Sequence, residues 1–174
     1  MVNFPEDLIK GLMKLILAPE KITSFYEFSD LLGNISSEKF IAPLEKKILE
    51  CKKAEEVCLL SYLYALGTIL EKIETGHKFK GKFIELLGNW GINSNDELAY
   101  KSIFVLSQIN NLRCYPYLRK VVRDTTKFIA TRKAALAGLV NHQGLLESDL
   151  FESLTLDPDP EIRKDITSAL RFLN

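Results

Sequence analysis

The chain has 174 residues, with 23 Lys and Arg against 23 Asp and Glu, 47% apolar residues and 26% charged ones. Such a composition excludes wholesale disorder, and the length suits one domain. A net charge of zero argues against a general nucleic-acid coat, which needs a large cationic excess.

Taken in chain order, the sequence reads as helix after helix. Apolar residues recur three and four apart, and no strict alternation persists beyond a few positions. Helices are expected at 5–17, 24–33, 37–50, 54–74, 79–89, 95–110, 115–123, 127–142, 147–155 and 159–173. The opening Pro5, Glu6 and Asp7 have the character of a first helical turn, acidic where a secretory signal would be expected to be basic. Ala18 and Pro19 stop the first helix, while Gly33 and Asn34 end the second. Ser36 and Ser37 are set to cap the third. The longest apolar stretch runs from Val57 to Leu70 and is interrupted by Ser61, Gly67 and Thr68. A membrane span needs about 20 apolar residues, so this shorter run is expected to be a buried core helix. The stretch from Gly76 to Lys82 reads as a solvated hinge, and Gly88 through Asn95 as a break. Cys51, Cys58 and Cys114 have no CxxC spacing and read as reduced, mostly buried thiols of a cytoplasmic protein.

Beneath the helices runs a repeat. Lys101, Arg132 and Arg163 stand at equal intervals, and six places beyond each is a small residue: Ser107, Gly138 or Ala169. A small residue there lets a neighbouring helix approach closely. The preceding short helices carry the apolar pairs Leu86 and Trp90, Leu118 and Val122, and Leu150 and Leu154, again evenly spaced. A short helix followed by a longer one therefore recurs three times over 78–174, whereas 1–77 is helical without sharing the register.

The segment Asp157, Pro158, Asp159, Pro160, Glu161, Ile162, Arg163 and Lys164, followed by Ala169 and Leu170, resembles the second helix of a short HEAT-like repeat. This is the short-period variety found in phycobilisome lyases and in many bacterial proteins of other functions. Asp157 has the chemistry of a helix cap, and Ile162, Ile166, Ala169, Leu170 and Leu173 make an apolar stripe. Asn95 and Thr126 stand at the cap position of the two upstream segments. The resemblance implies an all-α fold: a right-handed α-solenoid of antiparallel helix pairs, HEAT- or armadillo-like, with about ten helices in a single domain. It also implies that Arg163 ties back to an acid of a neighbouring repeat.

Chemistry-bearing motifs are sparse. There is no phosphate-binding GxxxxGK[ST] loop, GxGxxG turn, HExxH or GxSxG elbow, and His77 and His142 are the two histidines. Catalytic, metal and cofactor sites are accordingly not expected. Charge is the stronger signal. Between Ala99 and Lys133 eight cations face Asp124 alone, a net of +7, and 134–174 carries a net of −4. One reading is pairing between adjacent repeats. The other is a cationic stripe for an acidic partner, drawn from Arg113, Tyr115, Tyr117, Arg119, Lys120, Arg123 and Lys127, with the tyrosines as anchors.

Three functions fit this reading. The leading one is a non-catalytic protein-binding solenoid, an immunity protein that neutralises a cognate bacterial toxin domain, since stand-alone HEAT-like proteins of this size include such inhibitors. A second is nucleic-acid binding of the HEAT-like DNA-glycosylase kind, disfavoured because the cationic excess is confined to 99–133. The third is a lyase-like chaperone for a chromophore.

Overall fold

Pro43 shows how the local rules operate. A proline is accommodated in a helix only within the first turn, where its missing N–H has no carbonyl to bond. The helix expected over 37–50 accordingly splits into a 3-10 turn, Glu38–Phe40, and an α-helix that begins at Ile41. The computed structural model describes residues 4–51, 56–94, 97–143 and 148–173. Ten α-helices are assigned there: α1 Glu6–Leu17, α2 Phe25–Ile35, α3 Ile41–Glu50, α4 Glu56–Lys72, α5 Gly81–Asn93, α6 Glu97–Gln108, α7 Tyr115–Arg123, α8 Ile129–Gln143, α9 Ser148–Leu154 and α10 Pro160–Leu173. No strand occurs among the described residues, so the fold is all-α. No helix among them is long and apolar enough to cross a membrane. Asn95, expected at a cap position, lies outside the described residues.

The chain divides into two compact units, Met1–Phe83 and Ile84–Asn174. In the first, α4 packs against α2 and α3, and α1 lies on α3. Leu59, Tyr62, Leu63 and Leu66 of α4 are buried, as are Leu32 of α2 and Ile41, Leu44 and Ile48 of α3. Tyr62 is fully enclosed, and its hydroxyl donates to the Ile16 carbonyl at 3.1 Å, so its polar tip is satisfied. α2 runs two residues past its expected end. It closes at Ser36, whose φ of 47° supplies the left-handed cap that glycine usually provides.

The supposed hinge before α5 is tied down. Glu45 of α3 is buried, and its carboxylate meets His77 Nε2 at 2.8 Å and accepts from the Lys80 N–H at 3.0 Å. Phe79 is also buried and stacks on Phe83 at 5.5 Å.

In the second unit α8 packs on α6, α7 and α10, and α9 packs on α10. Matching ends meet. Lys127, just before α8, donates to the carbonyls of Ile92 and Ser94, just before α6. At the far ends His142 Nε2 lies 2.9 Å from the Ser107 carbonyl. Arg132 and Lys133, early in α8, meet Asp157 before α10 and Glu161 at its start. α6 and α8 therefore run side by side in the same direction, and α10 begins beside the start of α8.

The small residue of the repeat is where the first two of these helices touch. A Cβ added to Gly138 would fall 2.7 Å from both Cα and Cβ of Ser107. Gly88 and Gly91 likewise do not break α5. A Cβ at Gly88 would overlap the ring of Tyr117, and one at Gly91 would overlap Cδ1 of Ile103. Glycine serves there as a flat spot for a neighbour rather than as a helix stop. A paired substitution checks this. Gly138→Ala should lower stability by about 1–3 kcal/mol through overpacking against α6. Gly11→Ala in α1, where nothing lies within 4 Å of the new methyl, should raise it by about 0.5–1 kcal/mol. Urea midpoints of the two variants would show the opposite signs.

Candidate functional site

α7 is nine residues long and strongly two-faced. Pro116 falls within its first turn, where a missing N–H costs nothing. Tyr115, Leu118, Val121 and Val122 are buried. Pro116, Lys120 and Arg123 are exposed, and Arg119 is half-buried beside them. Residues three and four apart share a helix face, so Arg119, Lys120 and Arg123 form one cationic surface. Cations in the last turn also favour the negative end of the helix dipole. Arg113, exposed in the turn before α7, extends the same charge.

The seven expected interface residues divide into four cations at the surface and three residues engaged within the fold. Arg113, Lys120 and Arg123 are exposed, with no side-chain ion pair among the described residues, and Arg119 stands next to them. Tyr115 instead belongs to the core: it is 3% exposed, and its hydroxyl donates to Asn110 Oδ1 at 3.1 Å. Tyr117 is half-buried, its ring laid over Gly88. Lys127 caps α5, reaching the Ile92 carbonyl at 2.6 Å and the Ser94 carbonyl as well. The last carbonyls of a helix lack intrahelical partners, and this ammonium supplies one.

Two more cations of the basic segment are also engaged. Lys133 reaches Glu161 at 2.9 Å and Asp165 at 3.2 Å. Arg132 is buried, and its guanidinium forks between two elements. Nε and Nη2 donate to the Val122 carbonyl of α7 at 2.9 and 2.8 Å. Nη1 donates to Asp157 Oδ1 at 3.1 Å, and Nη2 to Asp157 Oδ2. The arginine that ties α8 to an acid ahead of the next long helix, α10, is thus Arg132. Arg163, for which that role was expected, donates to the carbonyls of Asp157 and Pro158 at 2.6 and 3.0 Å. Asp157 is in turn occupied by Arg132, and it is Asp159 that caps α10, accepting from the Glu161 N–H at 2.8 Å.

Burial raises the Asp157 carboxyl, but the Arg132 hydrogen bond, the Asp159 N–H and the positive charges around it hold it below the usual aspartate range. A depressed folded-state pKa stabilises the fold above the unfolded value of about 3.9, and that stability is lost as pH falls through the folded pKa. Stability should therefore fall from about pH 5 downward more steeply in the native chain than in Asp157→Asn. Urea midpoints measured between about pH 7 and pH 3 would show whether the two curves converge in acid.

Two exposed apolar residues flank α7 in the chain. Leu112, next to Arg113, is 73% exposed, and Phe128, in the turn after α7, is 56% exposed. Both fall outside the apolar stripes, which is the one signal that marked them. Burial pushes the Cys114 thiol up to about 12, so it is a packing group rather than a nucleophile at neutral pH. Among the described residues no three His, Cys, Asp or Glu side chains converge on a point where a metal ion would sit. No protein-family model matches the chain, and no curated protein matches it.

Proposed function

We propose that the chain is a non-catalytic, HEAT-like helical-repeat protein, a right-handed α-solenoid that binds an acidic protein partner through the exposed face of α7. The observation that carries this reading is the division of the cations. Arg132, Lys133 and Lys127 are engaged inside the fold, whereas Arg113, Lys120 and Arg123 face solvent with no ion pair among the described residues. Complementary charge of this kind steers a partner and sets the rate of encounter. Exposed Leu112 and Phe128 supply the apolar contact that charge alone does not give. The most specific form of the proposal is an immunity protein that neutralises a toxin domain. It is supported by the chain's size, the resemblance to short HEAT-like repeats, and the parallel run of α6 and α8 with α10 packed on α8.

Reversing Lys120 and Arg123 to Glu tests the proposal. Both side chains are exposed, so the fold should tolerate the change, at a cost of about 1–2 kcal/mol from acids placed at the negative end of the helix dipole. Native protein should retain an acidic partner from its cells of origin at low salt, and the reversed variant should lose it. Release of toxicity from that partner when the native protein is withheld would establish the immunity reading. The same surface would also suit a phosphate backbone, and a gel shift on random-sequence duplex separates the two. Retention of that DNA at micromolar protein, falling steeply between about 50 and 200 mM salt, would overturn the protein-partner reading.

A further inference from the structure

The Met1–Phe83 unit contains a cleft of about 550 Å³, within the range of about 300–1,000 Å³ typical of small-molecule sites. Phe4, Ile9, Ile35 and Ile73 give it an apolar wall, and Glu38, Lys72 and Glu74 supply its charges. Those charges are engaged to different degrees. Lys72 Nζ donates to the Gly33 carbonyl near the end of α2 at 2.9 Å, so its ammonium is drawn into helix capping. Glu38 accepts from Thr75 Oγ1 at 2.5 Å through one oxygen. Glu74 is exposed and has no ion pair or side-chain hydrogen bond among the described residues. The wall is preformed. Ser36, in the left-handed region, is fixed by its N–H to the Leu32 carbonyl at 2.9 Å and by its hydroxyl to the Gly33 carbonyl.

We propose that this cleft binds a small organic cation with an apolar body, such as a primary alkylamine. The hydrocarbon would lie on Phe4 and the isoleucines, and the ammonium beside Glu74 and Glu38. Two carboxylates against one engaged ammonium favour a cation, and an organic anion of the same length meets net repulsion.

The test uses the full chain, n-octylamine and n-octanoate at neutral pH and low salt, read by amide NMR shifts. Octylamine should shift Ile35, Ser36 and Ile73 saturably and bind about tenfold more tightly than octanoate, the scale of two weak exposed charge contacts. Glu74→Gln, at an exposed position, should leave the fold intact and cut the preference by about threefold. Equal affinity for the two probes, octylamine shifts scattered away from the cleft, or an unchanged preference in Glu74→Gln would each overturn the proposal.

Discussion

Arg132→Ala is expected to destabilise the chain by about 3–5 kcal/mol, the cost of removing one partner from a buried ion pair. The side chain is 3% exposed and Asp157 is 5% exposed, so neither charge has water to fall back on. Truncation leaves two groups stranded. The Asp157 carboxylate loses its counter-charge, and the Val122 carbonyl at the end of α7 loses both donors. Arg132→Lys should recover only part of the loss, because an ammonium cannot match a planar fork that serves two acceptors at once. A double-mutant cycle with Asp157→Asn separates the pair from the carbonyl contact. If Arg132→Ala unfolds at the same urea concentration as the native chain, the tie between α7 and the approach to α10 carries no energy.

Leu139→Ala should be the second large effect, about 2–5 kcal/mol, because the side chain is fully buried in α8, a helix that packs on α6, α7 and α10. Leu170 holds the equivalent place in α10, one repeat further on, yet it is only half-buried. Its helix packs principally on α8 and α9, so less protein surrounds it than surrounds α8. Leu170→Ala should accordingly cost about 1 kcal/mol, the middle of the range for ordinary substitutions. Equal losses at the two positions would mean that burial differs less than the packing indicates.

These contrasts show what a one-dimensional pattern carries. Helix positions were legible because burial repeats every three or four residues, and the contact between α6 and α8 was legible because Ser107 and Gly138 occupy matching places. The equivalence of Arg132 and Arg163 was legible too, but not their different partners. A side chain of that length reaches whatever its surroundings present, and both carboxylate oxygens of Asp157 are held by Arg132 while Arg163 takes its backbone carbonyl. Gly88 and Gly91 were misread as a break because helix ends and close approaches both call for glycine, and only the neighbour distinguishes them. Three of the seven interface candidates were absorbed for a similar reason. The partners of Tyr117 and Lys127 belong to α5 and its end, a whole repeat away and beyond any local pattern, and Tyr115 fills a core position.

The seat of Tyr117 on Gly88 bears on the proposed interface in its own right. With Tyr115 anchored to Asn110 and Tyr117 lodged on a glycine of α5, α7 is pinned at its first turn against rolling about its own axis. The azimuth at which Lys120 and Arg123 leave the surface is therefore set before any partner arrives. A partner meeting such a ridge spends little entropy on ordering it, and its affinity becomes sensitive to angular fit. A methyl group at Gly88 would unseat the Tyr117 ring and loosen that azimuth without altering a single charge.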